Sequence, residues 1–200
     1  MTTKSKPKIA LVIGSTRAAR FADKPAAWML EQASARDEFD TELVDLRDYD
    51  LPFFDEMASN LYAPSQNENV LKWQAKMAEF DGYIFVVAEY NHSITGSLKN
   101  ALDQAGVEWI RKPMAAIGYG GLGAARAIEH LRGIAVELQM VPVRTAVHIG
   151  GGEMGKVHPM GGNGPMSDIE EILKPSATGL LDELAWWTEA TRVARAKDAA

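Results

Sequence analysis

The residues with the clearest chemical purpose follow the first apolar run, where Gly14, Ser15 and Thr16 lead to Arg17 and Arg20. Parallel α/β proteins bind phosphate at such a place, because backbone N–H groups and the helix dipole converge where the next helix begins. The hydroxyls add donors, and the two arginines add charge-assisted hydrogen bonds. The stretch lacks the lysine of a P-loop and the glycines of a dinucleotide-binding turn. It therefore predicts a pocket for the terminal phosphate of a ligand; an ordinary strand-to-helix turn with solvated arginines is the alternative.

A second candidate is the glycine-rich turn Gly118–Gly123, which matches the GxGxxG pattern of dinucleotide-binding proteins. It follows the fourth strand of the chain rather than the first, and no acidic residue ends the next strand to bind a ribose. We interpret it as a loop whose backbone approaches a flat ring. Two alternatives stay open: a tight turn with close helix–sheet packing, and a dehydrogenase that binds only a nicotinamide nucleotide.

A third candidate lies after the third strand, where Glu89, Tyr90 and Asn91 precede Gly96 and a helix. Tyr90 can pack against a ring, and the Asn91 amide both donates and accepts hydrogen bonds. Strands one and three should be neighbours in the sheet, so this loop is expected beside the pocket after strand one.

Five strands and their intervening helices must position these loops. The apolar runs that predict strands are 8–13, 41–46, 83–87, 114–117 and 143–149. Such alternation predicts a doubly wound parallel sheet in the order 2-1-3-4-5, with helices on both faces. We expect a single domain over 1–200, with the glycine-rich stretch 150–167 as an irregular loop.

Composition excludes several classes of protein. Hydrophobic residues make up 46% of the chain, which is typical of an ordered globular domain, and the net charge of −6 gives no basic footprint for nucleic acid. The chain has no cysteine, so disulfide scaffolds and thiolate metal sites are excluded. The four histidines show no metal-ligand spacing, and the polar start resembles neither a signal peptide nor a membrane span. We expect a cytoplasmic protein without a bound metal.

Taken together, these three motifs resemble the NADPH-dependent FMN reductase family over about residues 8–149. The resemblance implies a flavodoxin-like fold, bound FMN, and ping-pong transfer of electrons from NADPH or NADH to a flavin, quinone or similar small acceptor. It implies that the FMN phosphate is held through Ser15, Arg17, Arg20, Phe21 and Ala22. It implies that the flavin ring and ribityl chain are bordered by Glu89, Tyr90, Asn91, Tyr119, Gly120 and Gly121. No side chain is required as a catalytic acid or base in this scheme.

The chain departs from the usual family pattern at Ala88 and Thr95, where prolines are common, which reduces the expected stiffness of the loop. The family also implies a homodimer or homotetramer, with Trp73, Trp109 and the 150–166 segment as candidates to border the site. An electron carrier without its own NAD(P)H activity is the remaining alternative.

Overall fold

The computed structural model describes residues 5–198, which form one parallel sheet with helices on both faces. The strand order is β2-β1-β3-β4-β5, and β6 also pairs with β4, so the predicted order 2-1-3-4-5 is confirmed. The strands are β1 (Lys8–Ile13), β2 (Asp40–Asp45), β3 (Gly82–Ala88), β4 (Pro113–Tyr119), β5 (Val141–Pro142) and β6 (Val147–Ile149).

The centre of the sheet explains why the candidate loops meet. β1 pairs with β2 on one side and with β3 on the other, and Ile13 is in register with both Asp45 and Val86. The chain leaves β1 and β3 in opposite directions along the sheet, which opens a crevice beyond their carboxyl ends.

The fifth position of the sheet differs from the prediction of one strand over 143–149. Two short strands, β5 and β6, occupy it, and both pair in parallel with β4. Between them, the backbone N–H groups of Arg144 and Thr145 bind the carboxylate of Glu183 instead of a neighbouring strand. The apolar run is therefore interrupted by a tertiary contact that its own residues do not reveal.

Each face of the sheet is covered by three helices. The helices are α1 (Asp23–Ser34), α2 (Glu68–Ala78), α3 (Gly96–Asp103), α4 (Ala125–Glu137), α5 (Gly151–Val157) and α6 (Glu170–Asp198). The apolar side chains of α1, α5 and α6 pack on one face, and those of α2, α3 and α4 pack on the other. Alternate residues of β1 serve the two cores, as expected for a strand buried on both sides.

The glycine-rich segment is more regular than predicted, because residues 151–157 form helix α5. The chain then folds back onto it: the N–H groups of Gly162 and Gly164 donate to the carbonyls of Gly155 and Lys156, each at 2.8 Å. A Cβ at Gly161 would lie only 2.1 Å from the Gly155 oxygen, so this close backbone contact requires glycine. The expectation of an irregular loop over the whole segment is wrong for this reason.

A single lysine attaches that segment to α1. The Lys24 ammonium donates to the backbone oxygens of Val157, Asn163 and Gly164 at 2.9, 3.2 and 3.0 Å, and to the Asn163 side-chain oxygen at 2.8 Å. Residues 157–164 are thereby fixed to the helix that begins at the predicted phosphate loop.

Trp73 and Trp109 do not border a site. Both are buried in the core beside α2 and α3, where their indole N–H groups donate to the carbonyl oxygens of Ala101 and Leu102, respectively. Within residues 5–198, no helix is long and apolar enough to cross a membrane.

Candidate functional site

The predicted phosphate loop runs from the end of β1 to the start of α1 and is held against α3. A Cβ at Gly14 would lie 2.9 Å from the Leu98 side chain and 3.0 Å from the Val86 oxygen, so only glycine fits there. The Gly14 carbonyl accepts hydrogen bonds from the hydroxyls of Thr95 and Ser97, the latter at 2.8 Å. The first turn of the loop is therefore fixed before any ligand binds.

Arg20 lies beneath this loop, and its side chain is only 2% exposed. Its Nε and Nη2 bind Asp23, its Nη1 and Nη2 bind Asp45, and its Nη1 also donates to the Ser15 carbonyl at 2.8 Å. These contacts occupy all five guanidinium N–H groups. We call Arg20, Asp23 and Asp45 the arginine clamp.

The pKa values of Asp45 and Arg20 agree with these contacts. Burial alone raises the pKa of Asp45, but the hydrogen bonds from Arg20 and the Arg47 backbone outweigh it and hold that pKa below its usual range. The hydrogen bond to Asp45 also raises the pKa of Arg20. Arg20 was expected among the residues that hold a phosphate; the structure places it where protein acceptors already use every donor.

Arg17 contrasts with Arg20, because its side chain is exposed. Its guanidinium carbon lies 5.6 Å from the centre of the Tyr90 ring, within range of a cation–π contact. Within residues 5–198, Arg17 has no acidic partner. Arg17 thus joins the loop after β1 to the loop after β3 and keeps donors available for an anion.

Three buried hydroxyl groups converge near this arginine from three strand ends. Ser15, Tyr90 and Tyr119 follow or end β1, β3 and β4, and none of their hydroxyls has a partner within residues 5–198. Buried polar groups are rarely left unpaired in native proteins, so these hydroxyls indicate a ligand rich in acceptors. A phosphate with a polyhydroxyl chain fits that requirement.

Tyr119, which is expected to border the flavin ring together with Gly120 and Gly121, also contacts the loop after β1. Its ring packs edge-on against Phe21, with the ring centres 5.2 Å apart. Burial raises the pKa of Tyr119 to about 12. The nearby Ser15 hydroxyl opposes this rise, but the two oxygens do not meet hydrogen-bond geometry. The phenol therefore stays protonated and can donate.

The loop after β3 is a tight hairpin. Tyr90 and Ser93 exchange both backbone hydrogen bonds, at 2.8 and 2.9 Å, and the two residues between them have positive φ angles: 49° at Asn91 and 71° at His92. Two central residues with positive φ are the signature of a type I′ turn, and asparagine is favoured there. The turn leaves Asn91 exposed at the crevice.

Thr95 stands at a position where proline is common in the family, and its hydroxyl makes hydrogen bonds that proline cannot make. Its hydroxyl caps α3 by accepting the Leu98 N–H at 3.1 Å and also donates to the Gly14 carbonyl. The hydroxyl therefore links α3 to the end of β1, a contact that proline cannot make. Ala88 is buried at the end of β3, in register with Tyr119.

Glu89 turns towards α4 rather than into the crevice. Its carboxylate accepts from Arg126 Nε at 2.7 Å, and Arg126 also contacts His92 Nε2 at 2.8 Å. Burial raises the pKa of Glu89, but Arg126 and the Ala127 N–H outweigh that effect and lower it. Glu89 thus fixes the hairpin to α4 as a carboxylate.

The glycines of the turn after β4 have two roles. Some allow close packing against neighbouring residues, and Gly121 leaves open space beside the backbone. A Cβ at Gly118 would lie 2.7 Å from Ala124, and one at Gly123, where φ is 64°, would lie 2.8 Å from His148. Gly121 has open space around it, whereas the Gly120 N–H donates to the Ile149 carbonyl at 3.1 Å. Of these two adjacent N–H groups, the one of Gly120 is therefore already used within the protein.

Sequence reasoning missed Arg47 and the cleft that it borders. Arg47 follows β2 and donates to the carbonyls of Arg17 and Ala18. An open cleft of about 750 Å³ lies there, with Thr16 on its near side. The rule that parallel strands end at one edge could have found Arg47, because it lies two residues after the end of β2. Within residues 5–198, no cluster of acidic and histidine side chains could hold a metal ion.

Comparison with known proteins extends these observations. A family model described as NADPH-dependent FMN reductase matches residues 7–153, which include all three loops. An NAD(P)H-dependent FMN reductase of a Nectria species is 37% identical over 126 residues, covering 60% of this chain and 63% of the relative, so the match spans less than two thirds of that protein. A 2-hydroxy-1,4-benzoquinone reductase of a Burkholderia species is 37% identical over 141 residues, covering 67% of this chain and 73% of the relative.

A solved structure shows the same fold. The flavoenzyme NAD(P)H:acceptor oxidoreductase FerB of Paracoccus denitrificans superposes with a TM-score of 0.69 at 25% identity, covering 92% of this chain and 98% of that one. The fold is therefore the flavodoxin-like α/β fold that the sequence predicted.

Proposed function

This chain belongs to the NADPH-dependent FMN reductase family, and on that premise we propose that it is an FMN-dependent oxidoreductase using NADPH or NADH. Its second substrate is a small electron acceptor, for which flavins and quinones are the leading classes, because similar proteins carry those names. It works in the cytoplasm without nucleic acid or a membrane.

One observation carries the proposal. The hydroxyls of Ser15, Tyr90 and Tyr119 are buried without partners beside the exposed Arg17. An FMN phosphate and ribityl chain offer the acceptors that these groups lack, and Arg17 supplies the charge. Phe21 and Ala22 close the loop as buried apolar neighbours. When bound, FMN supplies the chemistry of accepting a hydride and passing electrons onward.

Arg20 contributes indirectly. Because the arginine clamp binds the Ser15 carbonyl, it fixes the conformation of the loop that carries Ser15 and Arg17. Arg20 is thus a positioning residue for the phosphate, while Arg17 is the arginine that contacts it.

The ring of the cofactor is bordered by the two other loops. The hairpin with Tyr90 and Asn91 is fixed to α4 through Glu89, so it offers the ring a rigid wall. Across the crevice, the open backbone of Gly121 offers an N–H to the ring edge, while Gly120 gives the turn its shape. No side chain here would be needed as an acid or base, and substrates that bind beside these two loops one after the other would give ping-pong kinetics.

The protein acts as a homodimer or homotetramer. Met57 and Tyr62 lie on one connecting segment and are each at least 84% exposed. A run of large exposed apolar side chains is uncommon on a monomer and typical of an interface. Light scattering at several protein concentrations tests this part; a monomer throughout contradicts it.

The first experiment is a visible spectrum of the FMN-reconstituted protein before and after anaerobic addition of NADPH or NADH. Bleaching of the flavin band by the nucleotide is the expected result. Bound flavin that stays oxidised would support the electron-carrier alternative. Failure to retain flavin would contradict the proposal and return the Gly118–Gly123 turn to consideration as a nicotinamide site.

A further inference from the structure

The cleft beside the phosphate loop has features that the FMN assignment does not use. Its volume of about 750 Å³ is typical of a small-ligand site, and Thr16 separates it from the loop residues assigned to the phosphate. It lies between the segment after β2 and the first turn of α3. The two sites therefore adjoin without sharing an assigned residue.

Arg47 is the one basic residue that lines this cleft. One of its terminal nitrogens reaches the carbonyls of Arg17 and Ala18, which holds the side chain along the rim. Within residues 5–198, its other guanidinium nitrogens have no protein acceptor and it forms no ion pair. Its backbone N–H donates to Asp45 at 3.0 Å, so both the backbone and the guanidinium of Arg47 are held by hydrogen bonds.

Two aromatic side chains also line this cleft. Phe53 lines the cleft while 87% of it stays exposed, and Tyr49 lines it with its ring held against Trp73 at 5.1 Å. An exposed, unpacked ring at the mouth of a cleft suits a flat ligand that can stack on it. Asp50 supplies the one acidic side chain of the lining.

We propose that this cleft binds the adenosine end of NADPH and that Arg47 pairs with its 2′-phosphate. Planar guanidinium groups bind phosphate through paired hydrogen bonds, and the adenine ring finds its stacking partner in Phe53. Asp50 opposes the phosphate and weakens the preference that Arg47 creates. This inference rests on the proposed function, because it assigns one substrate of that reaction to a place.

The test uses FMN-loaded protein and two soluble fragments, adenosine 2′,5′-bisphosphate and 5′-AMP, measured by titration calorimetry without turnover. Wild type is expected to bind the bisphosphate at least about 10-fold more tightly, as one charged hydrogen bond requires. Arg47→Met should remove that preference and leave 5′-AMP binding unchanged. Asp50→Asn should strengthen bisphosphate binding, and Arg144→Met, an exposed arginine at the other edge of the sheet, should change neither.

A second variant tests the cleft itself. A Cβ at Gly96 meets nothing within 4 Å, so Gly96→Phe should fold normally and fill the cleft, lowering binding of both fragments. Wild type that binds neither fragment, or Arg47→Met that keeps the preference, would overturn the inference.

The two proposals fail separately. Arg47-dependent binding of the bisphosphate in a protein that NADPH cannot reduce would contradict the proposed function and leave the site intact. Bleaching by NADPH with equal KM values in wild type and Arg47→Met would support the reaction and overturn the site.

Discussion

The arginine clamp and the exposed residues Arg17 and Arg47 place the same type of side chain in opposite environments, one buried and the other open to solvent. Arg20 is buried and gives all five of its N–H groups to protein acceptors, whereas Arg17 and Arg47 are exposed and keep most of theirs. On the assignments proposed above, these arginines have different roles. Arg20 fixes the loop before a ligand binds, Arg17 contacts the FMN phosphate, and Arg47 contacts the nucleotide in the adjoining cleft.

Arg20→Ala leaves Asp45 without its main partner in a partly buried place. We expect a loss of about 3 kcal/mol in the free energy of unfolding, at the low end for a broken buried pair because Asp23 is largely exposed. FMN affinity should fall as well. Urea unfolding of the apoprotein measures the first effect, and flavin fluorescence titration measures the second.

Arg36→Ala is the matched control for that variant. Arg36 also pairs with two carboxylates, Glu38 and Asp182, but at the surface, so its loss should cost less than about 1 kcal/mol. Equal costs for the two variants would show that the clamp is no more than a surface ion pair.

Arg17→Ala should reduce FMN binding without reducing the stability of the apoprotein. The loss of a charged hydrogen bond should weaken FMN binding by about 1.5–3 kcal/mol, while the apoprotein unfolds at the same urea concentration as wild type. Unchanged FMN affinity, with Arg144→Ala as the charge-matched reference, would show that Arg17 does not contact the phosphate.

The two tyrosines Tyr119 and Tyr83 extend the comparison to hydroxyl groups. Tyr119→Phe removes a buried hydroxyl without a partner, so the apoprotein should be unchanged or slightly more stable, while FMN affinity falls by about 1 kcal/mol. The Tyr83 hydroxyl binds the carbonyls of Met77 and Glu108, so Tyr83→Phe should cost about 1 kcal/mol of stability and leave FMN binding alone. If both variants lost the same property, the contrast between them would disappear.

The weakest effect that we expect is a loss of folding stability at low pH. The folded-state pKa of Asp45 lies below its ordinary value of 3.8, so in acid the unfolded chain binds more protons than the folded one. The stabilisation from the clamp is therefore present above pH 3.8 and is lost as the pH falls through the folded value. The stability difference between wild type and Asp45→Asn should shrink from pH 6 towards pH 2; a constant difference would contradict it.

The sequence predicted the strand order and the three loops because both follow from local patterns. Apolar runs, helical spacing and residues at strand ends need no knowledge of distant partners, and they led to Ser15, Arg17 and Tyr90. The role of Arg20 depends on Asp45, which is distant in the sequence and adjacent only through the pairing of β1 with β2. Arg47 was missed for a different reason: it lies two residues after the end of β2, and the rule that parallel strands end at one edge was not applied to that strand.

The split of the fifth strand and the helix inside the glycine-rich segment also depend on distant contacts. Glu183 on α6 takes the N–H groups that a continuous strand would have used, and Gly162 and Gly164 return to the end of α5. Glycine content predicts flexibility from local conformational freedom alone. It gives no sign of the close backbone contacts that make these glycines rigid.

The attachment of Lys24 to residues 157–164 has a consequence for recombining this protein with its relatives. The family match ends at residue 153, so the lysine lies inside the matched region and the oxygens that it binds lie outside. A chimera with its crossover between Lys24 and residue 157 would take the Lys24 ammonium from one parent and the backbone oxygens that it binds from the other. Crossover points should therefore keep α1 and the 157–164 segment from the same parent, however far apart they stand in the chain.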